Sequence, residues 1–193
     1  MAKPIVKDAD YLPDPDEPAL AAACCRGDRG AQRRLWERYK NRMYGVCLRF
    51  AATAQDAEDV LQEGFILVFR DICQYRAEGS LEGWVRRIMV RTALQHLQKQ
   101  ETTLELIDLD ALEHLLLDEI KPGKIDEEPG RLVQILQKLP PGFRAVLNLF
   151  VIEERSHEEI ARELGISVGT SKSQLNRAKT FFRRLLDKTL FLL

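Results

Sequence analysis

Residues 157–186 read HEEIARELGISVGTSKSQLNRAKTFFRRLL, the pattern of two helices joined by a tight turn. Ser156 and Glu159 have the spacing of a capping box, in which a hydroxyl and a carboxylate satisfy backbone N–H groups at a helix start. Gly165 stands where a helix ends in the left-handed conformation, and Ser167 or Thr170 can cap the helix that follows. The stretch therefore predicts a helix-turn-helix whose second helix enters a DNA major groove.

The second helix is predicted to be apolar on one side and cationic on the other. The inner side consists of Val168, Leu175, Ala178, Phe182 and Leu185. The outer side carries residue types that reach base edges and phosphates, namely Thr170, Lys172, Ser173, Asn176, Arg177 and Lys179. The alternative is a solvated basic face on an ordinary three-helix bundle. Agreement among the cap, the glycine, the turn and the cations favours DNA binding.

The formal net charge of −1 conceals an uneven distribution. Residues 1–100 hold 16 Lys and Arg against 14 Asp and Glu, and residues 131–193 hold 11 against 6. Residues 101–130, in contrast, hold 2 against 10. Two basic blocks separated by an acidic one suggest nucleic-acid contacts at both ends of the chain. The near-neutral total argues against indiscriminate coating of DNA.

The chain is predicted to be all-α, since apolar residues recur at three- and four-residue steps and no hairpin signals occur. The predicted core stripe of residues 18–50 consists of Leu20, Ala23, Leu35, Trp36, Tyr39, Met43, Val46, Cys47 and Phe50. Ser80 is expected to cap a helix over residues 81–100. The four cysteines show no C-x-x-C spacing, which indicates a reduced protein with Cys47 and Cys73 as small core residues.

Two segments of the amino-terminal half carry polar residues in distinctive groups. The helix over residues 53–72 has acids and amides on one side and many apolar residues as well. This pattern by itself indicates an ordinary amphipathic helix. Residues 76–99 interleave arginines with aromatic side chains, a combination that can hold single-stranded DNA by stacking and charge. From the residues alone, Trp84 is interpreted as a core residue, whereas Arg86, Arg87 and Arg91 are interpreted as DNA contacts.

Three motifs in this order resemble the bacterial sigma-70 family of RNA polymerase sigma factors, in its extracytoplasmic-function group. They are DAEDVLQEGFILVF (56–69), GSLEGWVRRIMVRTALQHL (79–97) and LPPGFRAVLNLFVIEERSHEEIARELGISVGTSKSQLNRAK (139–179). The resemblance implies a flexible tail at 1–17, a region 2 helical bundle at 18–100, an acidic linker at 101–129 and a region 4 helix-turn-helix domain at 130–193.

The resemblance also implies partners and roles. Core RNA polymerase would be bound through its β′ clamp and β flap, with the clamp contacted by Asp56, Glu58, Asp59, Gln62 and Glu63. The −10 promoter element would be held as a single strand, with one base turned out of the stack, by Arg76, Trp84, Arg86, Arg87, Arg91 and Gln95. The outer side of the last helix would read the −35 element as duplex, and the acidic linker would run toward the RNA exit path.

This sequence departs from the family pattern at a few positions. Arg91 stands where such proteins often carry Asn, and Gln95 and Gln98 replace positions that are commonly charged, which leaves the −10 preference undefined. Ser171 places a hydroxyl on the inner side of the last helix, where Val is frequent. No zinc-binding or receiver segment is appended, so control by an anti-sigma factor is expected in trans.

Other classes of protein are disfavoured. His96, His114 and His157 lie far apart in sequence, and no phosphate-binding loop or nucleophile pattern is present, so no catalytic residue, metal or cofactor is expected. No apolar run approaches the length of a membrane span, and a cytoplasmic location is expected. Two alternatives remain: a sigma mimic that sequesters an anti-sigma factor, and a stand-alone helix-turn-helix regulator.

Overall fold

The computed structural model describes residues 16–100 and 128–190, and these residues form eight α-helices and one 3₁₀ turn. The helices are α1 (Asp16–Cys25), α2 (Arg29–Phe50), α3 (Ala54–Asp71), α4 (Leu81–Gln100), α5 (Glu128–Lys138), α6 (Pro141–Val151), α7 (His157–Leu164) and α8 (Val168–Leu190). The 3₁₀ turn (Ile72–Gln74) directly follows α3. No strand occurs within these described ranges, which confirms the predicted all-α fold.

The chain divides into two compact units. The first comprises residues up to Cys47 together with Ala57–Ala93, and the second comprises Leu48–Asp56 together with the chain from Leu94 onward. The acidic segment 101–127 and the predicted tail up to residue 15 lie outside the described residues. Helix α5 already begins at Glu128, because Pro129 is tolerated in the first turn of a helix.

The first unit is built around the predicted apolar stripes. Leu35, Tyr39 and Met43 of α2 are fully buried, as are Val60 and Val68 of α3, whereas Ala23 and Trp36 of the predicted stripe are only half-buried. Trp36 keeps part of its indole at the surface while its ring packs edge-on against Phe65, with 4.5 Å between centroids.

Helices α3 and α4 approach each other closely at Gly64. A Cβ atom added at Gly64 would lie 2.3 Å from the Sδ atom of Met89, whose side chain is fully buried. A larger residue here would therefore force the end of the Met89 side chain to move within the core. The sequence periodicity alone did not single out this glycine.

Two predictions about the amino-terminal unit are wrong. Cys73 is an exposed residue that forms a disulfide bond with Cys25, rather than a reduced core residue. The two cysteines are 48 residues apart, and the packing of the 3₁₀ turn beside the end of α1 brings them together. Cys24 and Cys47 are buried and form no disulfide bond, and burial was predicted for Cys47. Glu17 lies in α1 rather than in the tail, because its carboxylate has buried partners on α2 and α4.

The helix-turn-helix forms as the local signals predicted. Ser156 and Glu159 make both hydrogen bonds of the capping box, and Gly165 ends α7 in the left-handed conformation with φ of +68°. The Oγ atom of Ser167 accepts a hydrogen bond from the backbone N–H of Thr170 at 2.9 Å, so Ser167 rather than Thr170 caps α8. Ser80 caps α4 in the same way through the N–H of Gly83.

The inner side of α8 differs from the prediction at Val168 and at Phe181 and Phe182. Phe181 is buried and Phe182 is half-buried, the reverse of the expected assignment, and Val168 is only half-buried. Successive buried positions at Ser171, Leu175, Ala178 and Phe181 advance by four or three residues. The stripe therefore passes through Phe181 before it reaches Leu185.

The capping box at the start of α7 provides a test of local stability. Ser156→Ala is expected to lower the free energy of unfolding by about 1 kcal/mol, because the N–H of Glu159 loses its acceptor. Ser156→Thr keeps the hydroxyl and is the matched control. Urea denaturation followed by circular dichroism measures both variants, and equal midpoints for Ser156→Ala and the wild type would contradict the assignment.

Candidate functional site

The outer side of α8 is a continuous exposed surface, called here the recognition face: Thr170, Lys172, Ser173, Asn176, Arg177 and Lys179. All six side chains are exposed except that of Thr170, which is half-buried. Lys172, Asn176 and Lys179 follow one another at steps of four and three residues and therefore form one ridge of the helix. Arg183 is exposed one further turn along the same ridge. The six positions predicted from sequence thus share one surface.

Three members of the recognition face also have partners within the protein, and one of them is Ser173, whose hydroxyl donates a 3.0 Å hydrogen bond to the carbonyl of Thr170. The hydroxyl of Thr170 lies 2.8 Å from that of Ser167, so Thr170 contributes to the cap of α8. The Nζ atom of Lys179 lies 5.4 Å from the ring centroid of Phe150, a cation–π contact that orients its long side chain. Asn176 and Arg177 are the exposed members whose side-chain types read adenine and guanine edges.

A polar contact behind the recognition face was missed by sequence reasoning. The ring of His157, at the start of α7, stacks on Phe150 with 4.7 Å between centroids. Its Nδ1 atom lies 2.9 Å from the Oγ atom of the fully buried Ser171. This hydrogen bond satisfies the hydroxyl that the sequence placed on the inner side of α8 and links α7 to α8.

A second feature is a cavity of about 430 Å³ between the 3₁₀ turn and the first turn of α4. It is lined by Gln74, Tyr75, Arg76, Glu78, Gly79, Ser80, Gly83, Trp84 and Arg87. The rings of Tyr75 and Trp84 are 6.0 Å apart at their centroids, and the Tyr75 hydroxyl donates a 2.6 Å hydrogen bond to the carbonyl of Gly79. Trp84 is half-buried in the cavity wall, so its interpretation as a core residue is wrong.

A polar ridge continues from this cavity along α4. Trp84, Arg87, Arg91 and Gln95 are separated by steps of three or four residues and therefore lie on one side of the helix. Arg87, Arg91 and Gln95 are exposed. Arg86 stands two residues after Trp84, which is roughly 200° around a helix of 3.6 residues per turn. Of the six residues predicted to hold the −10 strand, Arg86 is therefore the one that α4 places away from this ridge.

A third feature is the exposed side of α3, called here the acidic face: Glu58, Asp59, Gln62, Glu63 and Ile66. Four of these were predicted from sequence. Ile66 was missed, although its side chain is 66% exposed and stands three or four residues after Glu63 and Gln62. Ile66 therefore adds one exposed apolar side chain to a surface that is otherwise polar and acidic.

Asp56 has a structural role that distinguishes it from the acidic face. Its Oδ2 atom accepts hydrogen bonds from the backbone N–H of Thr53 at 3.1 Å and from the Thr53 hydroxyl at 2.8 Å. The Thr53 hydroxyl in turn accepts the N–H of Asp56, completing a capping box at the start of α3. Asp56 also lies 3.8 Å from the Nε2 atom of His96 on α4.

No helix among residues 16–100 and 128–190 combines the length and apolarity that crossing a bilayer requires.

Two family models match the chain in an order that agrees with the positions of these surfaces. Residues 35–103 match sigma-70 region 2, which includes the acidic face, the cavity and the ridge of α4. Residues 130–182 match sigma-70 region 4, which includes the whole recognition face.

The chain is also similar to several characterised proteins along most of its length. It is 33% identical to the RNA polymerase sigma-H factor of Pseudomonas aeruginosa over 86% of this chain and 89% of that protein. It is 33% identical to the ECF RNA polymerase sigma factor SigE of Mycolicibacterium smegmatis, over 94% of this chain and 73% of that protein. The ECF RNA polymerase sigma-E factor of Escherichia coli is 30% identical over 80% of this chain and 85% of that protein.

Among solved structures, CnrH in complex with the cytosolic domain of CnrY aligns with a TM-score of 0.48 and 23% identity, covering 89% of this chain and 97% of that one. The sigma factor RpoE in complex with the anti-sigma factor NepR from Bartonella quintana aligns with a TM-score of 0.49 and 16% identity, covering 80% and 96%.

Proposed function

This chain belongs to the sigma-70 family of RNA polymerase sigma factors, in its extracytoplasmic-function group, and we propose that its three exposed surfaces divide the work of promoter recognition. As a sigma factor it binds core RNA polymerase and directs transcription initiation at promoters. The recognition face is assigned to the −35 duplex, the cavity and the ridge of α4 to the −10 strand, and the acidic face to the polymerase. The proposal is carried by the exposure of all three surfaces on a chain that matches both regions.

The assignment of the recognition face to the −35 element follows from its side chains and its support. A capped helix packed on its partner by Leu175 and Ala178 presents its outer side rigidly to a major groove. Asn176 and Arg177 are suited to adenine and guanine edges, while Lys172 and Lys179 are suited to phosphates. The −35 element is accordingly read by the side chains near the middle of the face.

Arg177→Ala is expected to weaken binding of the polymerase-bound protein to −35 duplex by about 1–3 kcal/mol, because a bidentate contact to guanine is lost. Arg162→Ala, which removes an exposed arginine from α7, is the matched control. Fluorescence anisotropy with a panel of single-base −35 substitutions measures both variants. A loss that is uniform across the panel would make Arg177 a phosphate contact and contradict the base-reading role.

The cavity and the ridge of α4 are suited to an unpaired strand. The cavity volume is sufficient for one base, and Tyr75 and Trp84 supply aromatic surfaces for stacking. Arg76 and Arg87 at the cavity, followed by Arg91 and Gln95 along α4, provide charge and hydrogen-bond donors for the strand that leaves it. Arg86 belongs to a different side of α4, and we propose no base contact for it.

The acidic face is proposed to dock on the β′ clamp of core polymerase. Glu58, Asp59 and Glu63 complement a basic partner surface, which increases the association rate and selects the partner. Ile66 would be the buried anchor of this contact. Asp56, which caps α3, is proposed to hold the helix in position beside this contact rather than to supply its energy.

The remaining assignments follow from family membership. The protein is proposed to act in the cytoplasm, where polymerase is found, to contact the β flap through region 4, to do no catalysis of its own and to be controlled by an anti-sigma factor in trans. Reconstituted run-off transcription with core polymerase tests the central claim. Capture of an anti-sigma factor without transcription from any promoter would instead support the sigma mimic, and promoter binding without polymerase would support the stand-alone regulator.

A further inference from the structure

Helix α1 is attached at both of its ends to the segment that forms the cavity. Near its start, the Oε2 atom of Glu17 accepts a hydrogen bond from the backbone N–H of Leu81, the first residue of α4, at 2.8 Å. At its other end, Cys25 is disulfide-bonded to Cys73 in the 3₁₀ turn. Residues 74–80 lie between these two attachment points, and most of them line the cavity.

Glu17 is an unusual residue to bury. Its side chain is 4% exposed, and its Oε1 atom accepts a 2.8 Å hydrogen bond from the hydroxyl of Tyr39 and lies 3.9 Å from the guanidinium of Arg38. A buried carboxylate is tolerated only when its oxygens are hydrogen-bonded, and losing one partner is costly. These contacts fix the position of Glu17 relative to α2. The hydrogen bond from Leu81 to Glu17 then holds the first residue of α4 beside α1.

The carboxylate of Glu17 acts on both tyrosines near this junction. Burial, followed by the hydrogen bond and the charge of Glu17, raises the pKa of Tyr39 well above its ordinary value. Burial and the charge of Glu17 also raise the pKa of Tyr75, whose ring lines the cavity. Glu17 is thus within electrostatic reach of the cavity wall as well as hydrogen-bonded at its edge.

The second attachment is chemically accessible. The side chains of Cys25 and Cys73 are exposed, so a small thiol can reach the disulfide. Cys73 immediately precedes Gln74 and Tyr75, which begin the cavity wall. The bond therefore restrains the end of the wall opposite the hydrogen bond between Glu17 and Leu81.

We propose that α1 is a positioning element for the −10 cavity, in which Glu17 and the Cys25–Cys73 disulfide hold the two ends of residues 74–80 in the shape that accepts an unpaired base. The proposal rests on the assignment of this cavity to the −10 strand and extends it to α1, which ends ten residues before the region 2 match begins at residue 35. A preformed cavity avoids the cost of ordering its wall when DNA binds.

The proposal also makes −10 binding dependent on redox state. A small dithiol such as dithiothreitol reduces the Cys25–Cys73 bond by thiol–disulfide exchange, giving two protein thiols and the cyclic disulfide of the reagent. Two electrons and two protons pass to the protein in this step. Reduction releases the attachment at Cys73 and leaves the one at Leu81 in place.

The test uses the full chain with Trp36→Phe, which leaves Trp84 as the only tryptophan because the sequence contains two. Acrylamide quenching of Trp84 fluorescence in the free protein reports the shape of the cavity. The affinity of the polymerase-bound protein for a single-stranded −10 oligonucleotide reports function. The positioning variants are Glu17→Gln and Cys25→Ser/Cys73→Ser, with Glu37→Gln and Cys24→Ala as matched controls.

Both positioning variants are expected to increase quenching of Trp84 and to weaken oligonucleotide binding. For Glu17→Gln we expect a loss of about threefold to tenfold, the effect of one hydrogen bond's net contribution. Binding to polymerase and to −35 duplex is expected to stay unchanged. Dithiothreitol is expected to reproduce the double-serine phenotype in the wild-type background and to have no further effect on that variant. Thiol titration of the unreduced, denatured protein is expected to find two free thiols, because two of the four cysteines are bonded.

Unchanged quenching and unchanged oligonucleotide affinity in both variants would overturn the proposal, and four free thiols would overturn its redox part. The proposed function fails separately if the unsubstituted protein, bound to polymerase, has no affinity for the −10 strand. In that case, altered quenching in the variants would still support the positioning role of α1, and unaltered quenching would overturn that role too.

Discussion

Phe65→Ala is expected to lower the free energy of unfolding by about 3–5 kcal/mol, the range found when a buried phenylalanine is truncated. Phe65 is 2% exposed, and its ring lies edge-on to Trp36 at 4.5 Å and 5.9 Å from Phe69. Truncation removes this aromatic cluster and leaves a cavity between α2 and α3. Because a domain has only about 5–15 kcal/mol of net stability, this single substitution removes a large part of it.

Ile66→Ala is the matched control, since the next residue along α3 is turned by about 100° around the helix and is exposed. Its side chain is 66% exposed, and its truncation is expected to change stability by less than about 0.5 kcal/mol. Urea denaturation followed by Trp36 fluorescence and circular dichroism compares the two variants. Similar midpoints for both would mean that the apolar side of α3 has been assigned to the wrong face.

Asp59→Lys is expected to weaken association with core polymerase by roughly 100-fold, or about 3 kcal/mol, because placing like charges together across an interface costs several kcal/mol. Asp59 is exposed on the acidic face, so the substitution should leave the fold intact. The effect should also decrease as ionic strength rises, since exposed charges are screened. Biolayer interferometry with immobilised core polymerase at several salt concentrations measures this effect.

Glu37→Lys makes the same charge change on α2 and is the control for Asp59→Lys. Glu37 is exposed and forms a surface ion pair with Lys40, a contact that contributes little to stability. If both reversals weakened polymerase binding equally, net charge rather than the acidic face would be responsible. If neither had an effect, the assignment of Asp59 to the polymerase interface would be wrong.

Features that depend on neighbours three or four residues away were predictable from sequence. The capping box of α7, the left-handed Gly165 and the cap at Ser80 each involve a donor and an acceptor within one helical turn, so the local pattern contains both partners. The recognition face was predictable for the same reason, because helical periodicity alone separates Arg177 from Leu175.

The type of a residue predicted its role less well where its position in the fold was not known. Residue type predicts that all the arginines of α4 contact DNA, yet Arg86 and Arg87 are consecutive and therefore project from different sides of the helix. Large aromatic side chains are usually core residues, so residue type alone favours a core position for Trp84. The cavity that Trp84 lines forms only when the 3₁₀ turn and α4 pack side by side. The sequence did not predict Ile66 as a contact residue, because a single apolar residue among acids is common in amphipathic helices.

The amino-acid sequence by itself determined the helices, their caps, the order of the two family regions and the outward side of α8, since these follow from periodicity and short-range hydrogen bonds. Only the tertiary structure decided that Glu17 meets Leu81 across 64 residues and that Cys25 meets Cys73 across 48. Such contacts join groups that are adjacent only after the helices pack, and a local pattern contains just one of the two partners. The attachment of α1 to the cavity is therefore a property of the folded protein alone.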